Sequence, residues 1–304
     1  MKIQVLGSSA GGGFPQWNCN CFNCDGVRRG SIDARPRTQS SIAITENAED
    51  WVLVNASPDL LAQIKSSPAL QPARAVRDSG IAAVLLMDAQ IDHVTGLLML
   101  RERGSRLPLY ATEQVMADLK EGLSIGRVLE HYCGLDWRPV LPGHGDFEIA
   151  PLLRTRFTAI TLESKAPPYS PHRNDPHPGD NIGLKITDTH SGRSAFYAPG
   201  LGAMTPTVAE AMASADVLLV DGTFWTADEM IRLGLSKKTA ADMGHLPQSG
   251  PSGMIEVLDR MPASRKILIH INNSNPILRE DSPERALLRQ HGIEVAFDGM
   301  EISL

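Results

Sequence analysis

Three thiols crowd into six residues near the start of the chain: Cys19, Cys21 and Cys24 in WNCNCFNC. A disulfide framework would spread an even number of cysteines along the chain. Three thiolates on one short loop suit a tetrahedral zinc ion instead, with a fourth ligand from elsewhere. The remaining cysteine, Cys133 in EHYCGLD, reads as a small buried hydrophobe. A second concentration of chemistry is LLMDAQIDHVTGLLML, Leu85 to Leu100. There Asp88, Gln90, Asp92 and His93 fall where an apolar run turns toward a helix. Polar groups at the end of a buried strand are a common place for ligands and metals. His270 ends another apolar run in KILIHINNSNP, and Asp221 ends a third in VLLVDGTF. His245, in MGHLPQSG, sits before a helix. It would serve as a site acid or base, or as a structural hydrogen-bonding group. Asp221 is a second candidate for catalytic proton transfer or a direct ligand, and otherwise would orient a ligand or bond to backbone.

Buried strands must position these groups. Short runs rich in branched residues, bounded by Gly, Pro, Asp or Asn, predict strands at Lys2–Leu6, Ser41–Ile44, Trp51–Val54 and Ile81–Met87. The same signal recurs at Ile182–Ile186, Ala195–Tyr197, Val217–Val220, Lys266–Ile271 and Glu294–Phe297. Helices are predicted at Leu60–Lys65, Thr112–Leu123, Ser249–Met261 and from Asp281 to Gly292. Strands with interspersed helices suit sheets packed together and covered by helices. The segment Glu163–Asn181 carries five prolines and reads as an ordered loop or lid. Its His172 and His177 are expected to be exposed, and it also carries Lys165 and Arg173. We expect one domain over 1–304, with a cysteine loop at about 17–26 and the proline-rich loop at about 163–181.

Composition sets outer bounds. The 304 residues are 42% hydrophobic and 21% charged, which excludes a disordered, collagen-like or coiled-coil chain. The net charge is −6 and no basic block stands out, so nucleic acid is not expected. No apolar run is long enough to span a membrane. MKIQVLGSSAGGGF reads as a strand and a glycine turn rather than a signal peptide, so a cytoplasmic location is expected.

The pattern Asp88-x-Gln90-x-Asp92-His93, with His270 after a late strand, resembles the metallo-β-lactamase superfamily, whose hydrolases carry HxHxDH after a strand. The resemblance implies an α/β (α+β) fold: a four-layer αββα sandwich of two mixed sheets flanked by helices. In that superfamily one metal takes the first two motif histidines and a third-motif histidine. The other takes the Asp–His pair and the terminal histidine, and an aspartate bridges them. Here the first set is replaced by Asp88, Gln90 and Glu163, and the bridge position falls near Gly200. The second set stands as Asp92, His93 and His270. Two histidines and one carboxylate with open positions are the facial-triad composition of non-haem Fe(II) oxygen-activating enzymes. We therefore expect Fe(II), though zinc, manganese or copper would also suit these ligands. Asp88, Gln90 and Glu163 are candidate pocket residues.

Across the whole chain, GSSAGGGFPQWNCNCFNC, MDAQIDHVTGLL, DVLLVDGTFW, MGHLPQSG, HINNSNP and FDGMEI resemble the pyrroloquinoline quinone (PQQ) biosynthesis protein B (PqqB) family. The first and last of these also resemble the PhnP phosphodiesterases. There the cysteine loop holds a structural zinc completed by a histidine three residues after the terminal motif histidine. The matching residue here is Asn273, a poor zinc ligand, so a water or another residue would be needed if it does not serve. The resemblance implies cofactor biosynthesis: hydroxylation of the tyrosine ring of a glutamate–tyrosine peptide-derived precursor, using iron and dioxygen, with Lys165 and Arg173 expected to meet the substrate carboxylates. Its alternatives are a carrier for PQQ or its precursor, and a metal-dependent hydrolase.

Overall fold

The computed structural model describes residues 1–304. Fourteen strands form two sheets. The first half supplies β1 (Lys2–Gly7), β2 (Ser41–Thr45), β3 (Trp51–Val54), β4 (Ile81–Leu85), β5 (Leu107–Ala111) and β6 (Leu135–Pro139). The second supplies β7 (Asp146–Ile149), β8 (Leu152–Thr161), β9 (Ile182–Asp188), β10 (Ser194–Ala198), β11 (Val217–Asp221), β12 (Arg265–Ile269) and β13 (Ile293–Val295). The last strand, β14 (Glu301–Ser303), returns to pair with β1. The sheet orders are β14-β1-β2-β3-β4-β5-β6 and β13-β12-β11-β10-β9-β8-β7. Both sheets are mixed. In each, three antiparallel pairings lead into three parallel ones.

Alternation along the strands explains the four layers. Ile42, Ile44, Val52, Val54 and Leu85 join Leu219, Ile267 and Ile269 in a core between the sheets. Their neighbours Ala43, Leu53 and Val84 face outward, against Leu60, Val115 and Leu119 of the covering helices. Leu218, Val220 and Leu268 face the other way, against Val208, Met254, Leu258 and Leu288. Strands apolar on both faces must be covered on both, and successive side chains alternate faces. The αββα sandwich implied by the sequence is the observed fold.

The predicted strands are all present, within a few residues at their ends, but β5 to β8 and β14 were not anticipated. The predicted helix Thr112–Leu123 is interrupted. It runs as an α-turn at Glu113–Ala117 and then a π-type turn at Asp118–Gly122. At Gly122 a Cβ would meet the Tyr169 ring at 2.7 Å, so the proline-rich segment packs directly on this turn. The helix predicted at Ser249–Met261 is only Met254–Asp259, because Gly250 and Ser252 adopt left-handed conformations before it. His245 therefore sits in a turn near the isolated bridge Phe224–Pro247, well before that helix. Cys133 is half-buried rather than buried.

Candidate functional site

The polar residues collect beyond the ends of parallel strands, where open α/β sheets usually place ligands. After β4, Met87 N–H donates to Asn55 Oδ1 at 3.0 Å, and Asn55 itself takes a left-handed turn after β3. This pins the loop that carries Asp88, Gln90, Asp92 and His93. After β12, His270 has φ 60°, a conformation rare for a residue with a Cβ. After β1, Ala10 N–H donates to Ile271 O and Ile271 N–H to Ser8 O, each at 2.9 Å. That pairing brings the glycine cluster against the site. A Cβ at Gly11 would lie 3.2 Å from Asp92 Oδ2, so the close approach favours glycine.

Asp92, His93 and His270 come together there. Asp92 Oδ2 lies 3.7 Å from His93 Nε2 and 3.4 Å from His270 Nε2. His93 Nε2 is buried and has no hydrogen-bond partner. A buried polar atom without a partner is costly, and a cation at this point would satisfy it. The far side of each imidazole is braced. Asp88 holds His93 Nδ1 at 2.8 and 2.9 Å. Thr223 Oγ1 lies 3.0 Å from His270 Nδ1 and donates to Asp221 Oδ1 at 2.6 Å. Such partners fix which ring nitrogen faces a metal.

Charge is concentrated in this corner. Burial opposes ionisation of Asp92, but His93 and His270 more than offset it and hold the carboxyl well below the usual range. Burial would lower the His93 ring, whereas Asp88 and then Asp92 raise it to about 9. A bound cation would take the place of that proton.

Asp88, Gln90, Asp92, His93, His245 and His270 all line one cavity of about 300 Å³. His245 Nδ1 is 2.7 Å from Asp221 Oδ2, and its Nε2 has no protein partner. Burial would depress His245, but the Asp221 charge and hydrogen bond raise it overall. Gly200, at the position aligned with the missing bridge, lies in the wall.

Several expectations require correction. Asp221 is fully buried and does not line the cavity. Its oxygens accept from Leu201 N–H at 2.8 Å and Thr223 N–H at 2.9 Å, so it acts through His245 and Thr223. Glu163 is exposed and absent from the cavity wall, which its neighbours Leu162 and Ser164 line, because β8 ends there and its side chain turns to solvent. Lys165 is also exposed and outside the wall, whereas Arg173 lines it. His172 is not solvent-exposed: its side chain is 15% accessible and lies between Asp118 at 3.7 Å and Asp180 at 3.2 Å. His177 is exposed as expected and stacks on it. Asp88 is more than a pocket residue, since it braces His93. The sequence reading missed Thr223, Asn272 and Lys238, which line the cavity. The Asp-x-Thr spacing of Asp221 and Thr223 after a strand was the available signal for the first of these.

At the start of the helix Phe22–Arg29 a second cluster forms from Cys19, Cys21 and Cys24, whose sulfurs lie within 4.8 Å of one another. Asn273 occupies the fourth corner, its side-chain nitrogen 3.1 Å from Cys19 Sγ, 3.6 Å from Cys21 Sγ and 3.4 Å from Cys24 Sγ. The amide O and N positions are interchangeable by a flip, which would turn its oxygen toward the sulfurs. Asn23 Nδ2 donates to Asn273 O at 3.1 Å and ties the two loops together. Burial, and then the neighbouring thiols, push Cys21 up to about 12. Three crowded, neutral thiols are a poor arrangement alone and a good one for a soft divalent cation.

Comparison with known proteins agrees with this construction. The family model described as "Beta-lactamase superfamily domain" matches residues 50–271. The "Coenzyme PQQ synthesis protein B" of Cupriavidus necator is 67% identical, covering 100% of this chain and 99% of its own. The crystal structure of Zn(2+)-bound PqqB from Methylobacterium extorquens superposes with a TM-score of 0.92 at 38% identity, covering 100% of both chains. A diphosphatase of the PhnP family, at 19% identity and a TM-score of 0.68 over 100% of this chain and 97% of its own, shares the fold. The likeness in sequence and in fold runs over the full length, and the chain belongs to the coenzyme PQQ synthesis protein B family of the beta-lactamase superfamily.

Proposed function

We propose that this chain is a non-haem iron oxygenase of PQQ synthesis. Its substrate is a glutamate–tyrosine precursor derived from a peptide, and the reaction hydroxylates the tyrosine ring. The carrying observation is the partnerless His93 Nε2, grouped with Asp92 and His270, while the positions that the superfamily resemblance gives to a second metal hold Asp88, Gln90, Glu163 and Gly200. Asp92, His93 and His270 would hold Fe(II) and leave positions open. The ion, when bound, supplies the redox chemistry that activates dioxygen. One oxygen atom replaces hydrogen at the ring carbon ortho to the phenol oxygen. The other leaves as water, with two electrons from an external reductant and two protons.

The residues around the triad divide the remaining work. His245, held at Nδ1 by Asp221, offers Nε2 to take or give a proton within the cavity. Arg173 and Lys238 supply positive charge in the wall for the substrate carboxylates. The proline-rich segment acts as a lid. Its Tyr169 hydroxyl donates to Ala89 O and Thr112 Oγ1 donates to Gly179 O at 2.7 Å, which keeps it fastened over the site. No helix is long and apolar enough to cross a membrane, and we place the reaction in the cytoplasm. The thiolate loop with Asn273 would hold a structural zinc.

The test is anaerobic reconstitution with Fe(II), then oxygen and the glutamate–tyrosine dipeptide, read by mass spectrometry. The expected result is a gain of one oxygen atom that disappears in His270→Ala. No gain with iron, across several reductants, would overturn the oxygenase and move the assignment to a carrier. Turnover of an ester or phosphoester under zinc would instead support a hydrolase.

A further inference from the structure

A second cavity, of about 650 Å³, lies between the segment before β2 and the C-terminal helix Pro283–Gln290. It shares no lining residue with the cavity around His270. Arg35, Arg37, Arg285 and Arg289 converge on it. Two carboxylates also line it, and both are engaged. Glu280 pairs with Arg285 at 3.1 Å and with Arg289 at 3.7 Å. Glu294 is held by Arg265 through two contacts of 2.8 Å. Arginine is therefore in surplus over carboxylate.

Arg37 is the informative member, with only 5% of its surface accessible. One arm of its guanidinium donates to Ser8 Oγ at 3.2 Å and to Ala296 O. Its Nε is buried and has no partner. Desolvation first, and then the Arg285 charge, lower Arg37 to about 10, with Asp298 and Glu280 pushing back. A desolvated cation beside a like charge is unfavourable unless an anion joins it. Four apolar residues, Ile293, Val295, Phe297 and Met300, also line the cavity. Phe297 is 42% exposed and the other three are buried.

We propose that this cavity is a binding site for a small polycarboxylate with an apolar or aromatic body. The guanidiniums match carboxylates in planar, two-point geometry. The apolar residues cover the body, which a bare phosphate lacks. The volume falls within the range of small-molecule sites.

The test uses full-length, zinc-loaded protein and titration calorimetry with trimesate, a planar aromatic tricarboxylate. Trimesate should bind wild type and His270→Ala with the same Kd, because the two cavities are separate. The exposed pair Arg35→Gln/Arg289→Gln, which leaves the buried arginines in place, should raise Kd at least tenfold. Inorganic phosphate should bind at least tenfold more weakly than trimesate. Any of three results would overturn the proposal: no heat of binding with wild type, unchanged affinity in the double variant, or loss of binding in His270→Ala. Equal affinity for phosphate would do the same, since it would reduce the site to a generic oxyanion cluster.

Discussion

The two ligand clusters are built on opposite plans although one turn serves both. His270 and Asn273 are three residues apart after β12, yet one joins Asp92 and His93 and the other joins three thiols. The thiolate cluster is closed: its four corners are all supplied by the chain, with Cys24 fully buried. The triad is open: it faces a cavity, and its order comes from a ring of supporting groups, Asp88, Thr223 and Asp221. A closed, soft set suits a structural ion. An open set of imidazole and carboxylate suits chemistry. The thiolate loop is braced too, but through backbone: Asn23 Nδ2 donates to Asn273 O at 3.1 Å and Gln16 N–H to Cys24 Sγ at 3.4 Å.

The sharpest way to break this division is His270→Ala. We expect the active-site metal and all oxygen insertion to be lost, while zinc at the thiolates remains. Metal analysis should read about one equivalent instead of about two. Loss of both ions would mean that the turn cannot be divided into two functions. Next in size is Cys24→Ser. It should release zinc and cost about 4 kcal/mol in denaturant unfolding at a thousandfold ligand excess, the linkage value for losing such an ion. Unchanged zinc content and midpoint would refute the structural assignment. Asp221→Asn removes a brace without touching the cavity, so it should weaken metal retention at the triad about 10–100-fold and leave the thiolate ion alone. A chelator titration measures both.

Two smaller effects sharpen the contrast. Asn273→His should tighten zinc at the thiolates, raising the chelator concentration needed to strip it, with no change at the triad. The second effect is a pH dependence. In metal-free protein Cys21 is raised from 9.0 to about 12. Between those values the folded state binds more protons than the unfolded one, so stability should fall as pH rises through that window. Zinc-loaded protein should show no such fall, because the thiols are already ionised. Urea midpoints measured at several alkaline pH values, with and without zinc, would decide this.

Much of the architecture was legible because strands buried on both faces leave continuous branched runs, as in IAAVL of β4 and VLLVD of β11. The overlooked strands have other signatures. LPLYA of β5 contains Pro108, which ordinarily argues against a strand. LLRTRFTAIT of β8 mixes Arg and Thr with apolar residues, because one of its faces is partly exposed. The triad was legible since its members end apolar runs. Its support was not, because a carboxylate in sequence carries no mark of its partner. Asp88 looked like a degraded ligand and proved to hold His93, and Asp221 looked like an acid and proved to sit behind one. Glu163 failed for a simpler reason, that alignment across a loop fixes neither the end of a strand nor the side it turns to.

The contact between Asn23 and Asn273 spans 250 positions of the chain. During synthesis the cysteines must therefore wait for their closing partner for about 10–50 s at ordinary elongation rates. Throughout that interval the three thiols stand without the corner that Asn273 supplies in the folded chain. Only when the strand carrying the final turn inserts beside its neighbours does the fourth corner arrive. The four-cornered set is thus completed only near the end of synthesis, and its order of assembly belongs to the protein's biogenesis as much as to its folded form.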